Sequence, residues 1–186
     1  MKKFELTTEF ITNMFGKKLF RIKALVEFGN VKAGELGGYV EKEENVSQDG
    51  NAWVSGDARV YGDAEVSGNA RVYGNAWVSG NAEVYGDAWV SGNAWVYGNA
   101  RVSGNARVSS DADYALVQGF GTEFRCTTFY RGKNKKIMVN CGCFHGDLEG
   151  FRKQVKETRN GKIAKEYLMI ADLMEYHFTS EDSSNE

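Results

Sequence analysis

Proline is absent from these 186 residues, so every tight turn must be made by other residues, and 22 glycines are present to make them. Histidine occurs only at 145 and 177, which leaves little for general acid–base chemistry near neutral pH. Three cysteines without an export signal read as free thiols in a reducing compartment, so we expect a cytoplasmic protein. The opening Met1-Lys2-Lys3-Phe4-Glu5-Leu6 is basic, but no apolar core of signal-peptide length follows it. No run approaches a membrane span, so no membrane partner is expected. A net charge of −2 argues against a polyanion-binding chain, and duplex nucleic acid is not an expected partner. Paired carboxylates, a Ser/His/Asp set and a phosphate loop are all missing.

What is present is a six-residue repeat over residues 51–112, with valines at 54, 60, 66, 72, 78, 84, 90, 96, 102 and 108. Between them run Ser or Tyr, Gly, Asn or Asp, Ala, then Arg, Glu or Trp. Six matches neither the 3.6 nor the 3.5 spacing of a helix, and a Gly-Asn pair in every unit would break one. The period suits a short strand and a turn. Stacked as a parallel β-helix, such units point Val inward, pack Ala where the walls converge, and place Gly-Asn or Gly-Asp at corners needing positive φ.

This pattern resembles the hexapeptide-repeat superfamily, with Val at its aliphatic position and Ala at its small one. The resemblance implies a left-handed coil of three hexapeptides per turn and a homotrimer, and ten regular units then give a little over three coils. Val40 and Val46 are six apart but Val54 is eight beyond Val46, so two residues are inserted before the regular register begins. The stretch from Phe28 to Tyr39, with Ser47-Gln48-Asp49-Gly50-Asn51-Ala52-Trp53, is similar to a bacterial and prophage branch of these proteins, some of them taken for acyltransferases. Acyl transfer in the family commonly needs a histidine base and lysine-rich loops for coenzyme A, and the repeats contain neither. We therefore expect no catalysis, no catalytic residue and no cofactor.

With eighteen residues per coil, the residues before each valine stack into three columns. Trp53, Arg71, Trp89 and Arg107 form one wall, Arg59, Trp77 and Trp95 the second, and Glu65, Glu83 and Arg101 the third. Trp and Arg walls suit a subunit interface, where guanidinium stacked on indole contributes ~0.5–2 kcal/mol per contact. They equally suit a flat anionic ligand such as a nucleotide, the indole stacking on a base and the arginine pairing with phosphate. The corner column running from Asp57 to Asn105 reads as turn capping rather than as calcium ligation.

Ahead of the repeat, Phe4 to Phe10 and Leu19 to Val26 read as a β-hairpin that closes the first coil. After it, Phe124 to Arg131 and Ile137 to His145 read as a second hairpin. Pairing 131 with 136 would set Cys126 opposite Cys141. Asp147 caps a helix with Leu148, Phe151 and Val155 on one stripe, and a second helix runs from about Lys162 to Phe178. This ββαα unit is similar to a terminal domain of phage-encoded proteins around a Cys-Gly-Cys-Phe motif, here Cys141 to Phe144. On one continuous strand Cys141, Cys143 and His145 point the same way, so a Cys₃His zinc site with Cys126 is geometrically conceivable; core packing of thiols is the reading we adopt, with no metal assigned. Residues 121–165 carry eleven basic and four acidic side chains. Arg125, Arg131, Lys133, Arg152 and Lys153 are its anion-binding candidates.

The fold class expected is mostly β: a left-handed parallel β-helix (39–115) with an N-terminal β-hairpin cap (1–38), a C-terminal ββαα domain (120–178) and a disordered tail (179–186). Three functions fit. The first is a non-enzymatic homotrimer, plausibly phage-encoded, that captures a small nucleotide-like anion and so blunts host defence. The others are a structural or assembly β-helix and an acyltransferase of the hexapeptide type.

Overall fold

The computed structural model describes residues 2–179. The chain divides into two compact units, the first ending at Asp111 and the second starting at Ala112.

The first unit is a parallel β-solenoid of about four turns. Ten two-residue strands, β4 to β13, run from Trp53–Val54 to Arg107–Val108, one per hexapeptide. Val54 pairs with Val72, Val60 with Val78 and Val66 with Val84, so each strand lies on the one eighteen residues later. The backbone repeats the spacing: Trp53 N–H donates to the Ala70 carbonyl at 3.0 Å and Ser55 N–H to Val72 at 2.9 Å. Valine and alanine of every unit are buried inside. Glycine is obligatory at the corners. At Gly86 φ is +70°, and an added Cβ would sit 2.9 Å from the Gly104 nitrogen of the next coil.

The first coil carries the inserted residues. Val40, ending β3 (Leu36–Val40), pairs with Val60, and Val46 bridges Val66, both twenty residues apart rather than eighteen. At Asn51 the spacing is regular again, its N–H donating to Gly68 as Asn69 donates to Gly86. The two extra residues therefore lie between Ser47 and Asn51, and they are put to use. The Gln48 side-chain amide accepts from Lys3 N–H at 2.7 Å and Phe4 N–H at 3.2 Å and donates to the Phe4 carbonyl at 3.2 Å. It stands in for a peptide group and pins the start of the hairpin.

That hairpin comprises β1 (Phe4–Thr12) and β2 (Lys18–Ala24), joined by a turn in which the Asn13 carboxamide accepts from Phe15 and Lys17 N–H. β2 pairs antiparallel with β3, so the hairpin caps by extending the second wall: its edge is covered by two antiparallel strands. Phe4 and Phe28 pack edge-on against Trp53, with ring centroids 6.2 and 5.4 Å away.

From Ser55 to Ser103 the residue after each valine alternates Ser and Tyr. Three units per coil is an odd number, so each column also alternates: Tyr61, Ser79, Tyr97 on the second wall and Ser55, Tyr73, Ser91 on the first. A phenol always overlies a hydroxymethyl group. Ser79 and Ser103 are buried as a result, and Ser79 Oγ accepts from the Trp95 indole N–H at 3.2 Å.

The second unit is a four-stranded antiparallel sheet followed by two helices. The strands β14 (Tyr114–Phe120), β15 (Arg125–Arg131), β16 (Ile137–Cys141) and β17 (Phe144–Asp147) lie in sequence order. Two were expected and four are present. β14 was hidden by Gln118-Gly119, and the run from 137 to 145 is cut at Gly142, whose φ of +60° makes a two-residue turn that pairs Cys141 with Phe144. The hairpin register also differs by one residue: Thr127, not Cys126, faces Cys141, and Phe129 faces Val139. Helix α1 (Leu148–Thr158) starts at the Asp147 cap, whose carboxylate accepts from Gly150 N–H, and buries Leu148, Phe151 and Val155. Helix α2 (Gly161–Thr179) buries Ile170, Ala171, Met174 and Phe178 against Phe129, Val139 and Phe151. The tail expected over 179–186 lies, beyond Thr179, outside the described residues.

Candidate functional site

The walls of the solenoid are built as the eighteen-residue period requires. On the first, Trp53 pairs with Arg71, Arg71 with Trp89, and Trp89 with Arg107. The four are not equivalent. Trp53 is buried at 2% exposure beneath the hairpin, whereas Trp89 is 40% exposed. Arg107 lies 4.2 Å over the Trp89 ring and donates to the carbonyls of Asp87 and Ala106. Arg71 is half-buried and, among the described residues, its guanidinium makes no hydrogen bond, ion pair or ring contact. It borders a hollow of about 250 Å³ lined also by Trp53, Ser55, Tyr73 and Trp89. Gly29, with φ +53°, leaves room for it, since a Cβ there would lie 3.3 Å from an Arg71 guanidinium nitrogen. Taking a charged, rigid fork part-way out of water without a partner is costly, and an anion in the hollow would relieve that cost.

The second wall continues through the hairpin as a single ladder: Arg21 pairs with Tyr39, Tyr39 with Arg59, Arg59 with Trp77 and Trp77 with Trp95. Its arginines do have partners, while the Nε of each is buried without one. Arg21 donates to Glu9 and to the Tyr39 hydroxyl, both at 3.1 Å, and Arg59 lies 4.9 Å over the Trp77 ring. Trp77, Trp95 and Tyr97 contact one another edge-on or tilted, with Tyr97 54% exposed. On the third wall Arg101 pairs with Glu83 at 3.1 Å. At the corners, Asn51 donates to Asn69, which donates to Asp87, and Asn75 and Asn81 donate to Asn93 and Asn99. The column is a hydrogen-bonded ladder of amides.

The structure disperses the basic candidates of the second unit. Arg131 is tied to Asp113 at 3.1 Å and to the Phe178 carbonyl at 2.9 Å. Arg152 bridges Asp172 and Glu175, both at 2.7 Å, which joins α1 to α2. Lys153 faces Glu157 one helical turn on, and Lys133 is exposed in the turn before Ile137. Arg125 alone of the five borders a hollow together with a second arginine, Arg159. A hollow of about 510 Å³ lies by Lys136, Asp147, Arg152 and Glu175, whose charges are spent on one another. Among the described residues no three His, Cys, Asp or Glu side chains are grouped to hold a metal ion. The strand carrying Cys141 ends at that residue, and Cys143 lies in the turn at Gly142 itself. Cys141 instead receives a hydrogen bond from the Thr127 hydroxyl at 3.1 Å.

Sequence reasoning missed Lys3. Its side chain is buried, and Nζ donates to the Ala52 carbonyl at 3.0 Å and to Asp49 and Gly50 at 3.4 Å, 4.8 Å from the Phe28 ring. Burial pushes its pKa down to about 8, with Asp49 pulling the other way. The only signal for this role was the two-residue insertion that brings those carbonyls round.

Among the described residues no helix is long and apolar enough to cross a membrane. No curated protein matches the chain. Residues 64–80, within the solenoid, and 94–112, from the solenoid to just past its last strand, match the family model described as YdcK Beta solenoid repeat, and with the stacked coils this makes the chain a β-helix repeat protein.

Proposed function

We propose that this chain is a non-enzymatic β-helix binding protein that captures a small nucleotide-like anion against its first wall. The observation that carries the reading is the Arg71 guanidinium, half-buried and unpartnered among the described residues, at the edge of a hollow flanked by indoles one coil before and one coil after it. Trp89 supplies a half-open ring for a base, and Arg71 a bidentate donor for phosphate. Both histidines lie outside the solenoid, which weighs against acyl transfer by the family's usual base. The homotrimer, the phage origin and a role in sequestering a host signal rest on the resemblance to hexapeptide-repeat and phage proteins.

A thermal-shift series of mononucleotides and cyclic nucleotides tests this. A ligand at 100 times its Kd adds ~2.7 kcal/mol to the unit that binds it. We expect stabilisation by at least one nucleotide, reduced tenfold or more in affinity by Arg71→Gln and by Trp89→Ala. No stabilisation across the series, or stabilisation untouched by both variants, rejects the reading. A second reading, a structural β-helix, is favoured by the Arg107–Trp89 stack and by the exposed Trp89 and Tyr97, which suit burial between subunits. Light scattering that gives a stable trimer whose formation Trp89→Ala and Tyr97→Ala abolish, with no ligand response, would select it.

A further inference from the structure

The second unit holds a different kind of hollow. It is small, about 70 Å³, and lies where the turns at Gly121 and Gly142 approach α1 and α2. Arg125 and Arg159 both border it, and among the described residues neither guanidinium has a hydrogen bond, ion pair or ring contact. The half-buried Tyr167 borders it too, and its hydroxyl donates to the Phe120 carbonyl over a long 3.3 Å. Both arginines are near enough to act on that hydroxyl: burial and the neighbouring Cys141 push its pKa up, and the charges of Arg159 and Arg125 oppose the push. The two glycines are part of the construction. Each has φ in the left-handed region, and a Cβ would strike the Tyr167 hydroxyl at Gly121 and come within 2.6 Å of an Arg125 guanidinium nitrogen at Gly142. Backbone is thus cleared from around these two polar heads, which glycine's freedom alone does not require.

We propose that this hollow is a binding site for one tetrahedral oxyanion, a phosphate or the phosphate end of a monoester, held by Arg125 and Arg159, with the Tyr167 hydroxyl turning its one proton from the Phe120 carbonyl to the anion. Two like charges bordering one small space repel, and a dianion between them turns that repulsion into two charge-assisted forks. The site shares no residue with the solenoid wall and stands or falls independently of the ligand proposed there. Glu123 also borders the hollow, and its carboxylate faces the same anion unfavourably. That opposition gives the site a signature of its own.

Isothermal titration of the full chain with inorganic phosphate, at ionic strength held constant with chloride, tests the proposal, with phenyl phosphate as a second titrant. We expect one site per chain. Arg125→Gln and Arg159→Gln should each weaken it tenfold or more, and Glu123→Gln should tighten it several-fold. All three positions are exposed, so circular dichroism should show the fold retained. Tighter binding of phenyl phosphate identifies a phosphorylated molecule as the source, and tighter binding of phosphate the free ion; either supports the site. No saturable binding of either titrant, or affinities equal in wild type and both arginine variants, overturns it.

Discussion

The two units hold themselves together by opposite means. The solenoid spends small side chains, Val and Ala, on a narrow interior and relies on a backbone ladder that is renewed at every coil. The second unit gathers Phe129, Phe151, Phe178 and Met174 into one cluster. Stability in the first is a sum over neighbours, so a local defect stays local; in the second it is common property, so one lost ring is felt throughout.

The sharpest way to break this contrast is Phe151→Ala. Phe151 touches Phe129, Phe144 and Tyr167, and its loss should cost ~3–5 kcal/mol. Calorimetry should then show the second unit melting early and the solenoid transition in place; a single transition lowered as a whole would end the comparison. Gly80→Ala asks the same question of the solenoid. With φ +71° and the Gly98 nitrogen 3.0 Å from the new Cβ, it should cost ~1–3 kcal/mol and raise hydrogen exchange in the adjoining coils only. Asp147→Ala removes the α1 cap and should lower the second unit by about 1 kcal/mol. The Gly150 N–H holds that carboxyl below its ordinary value, so its contribution is present above the usual carboxylate range and fades as pH falls through the folded pKa, which an acid titration of the wild type against Asp147→Ala should show.

One effect of pH is peculiar to the solenoid and lies at the alkaline end. Lys3 has a folded pKa of about 8 against an ordinary 10.5, so between those values the unfolded chain binds a proton that the folded chain has released. Stability should therefore rise with pH across that window, the penalty being complete below it. In Lys3→Met the rise should disappear; a slope equal to wild type would mean the amine is not the titrating group.

Periodicity made the solenoid legible. Once the valines fix a coil of eighteen residues, Trp53 must meet Arg71 and Arg59 must meet Trp77, and the insertion before Val54 must appear somewhere near Ser47. The α1 cap and stripe were equally readable, because Asp147, Leu148, Phe151 and Val155 obey local rules. What a hairpin does at its turn is not periodic. One residue of slip between β15 and β16 and the glycine turn at 142 were enough to separate the thiols that a continuous strand would have aligned. The candidate sites were legible only by residue type. That the Arg71 guanidinium has no partner among the described residues while Arg107 is strapped to carbonyls depends on side-chain conformations that the period does not set, and that Arg131 is consumed by Asp113 while Arg125 is not depends on distances between segments with no shared period.

The alternation of phenol and hydroxymethyl groups limits how such a rod can lengthen. Duplicating one coil inserts an odd number of units, which puts two serines or two tyrosines next to each other along the chain and, in the columns, ring upon ring or gap upon gap at the seam. Duplicating a pair of coils restores the order everywhere. Growth by gene duplication, or extension by an engineer, should therefore proceed in double storeys.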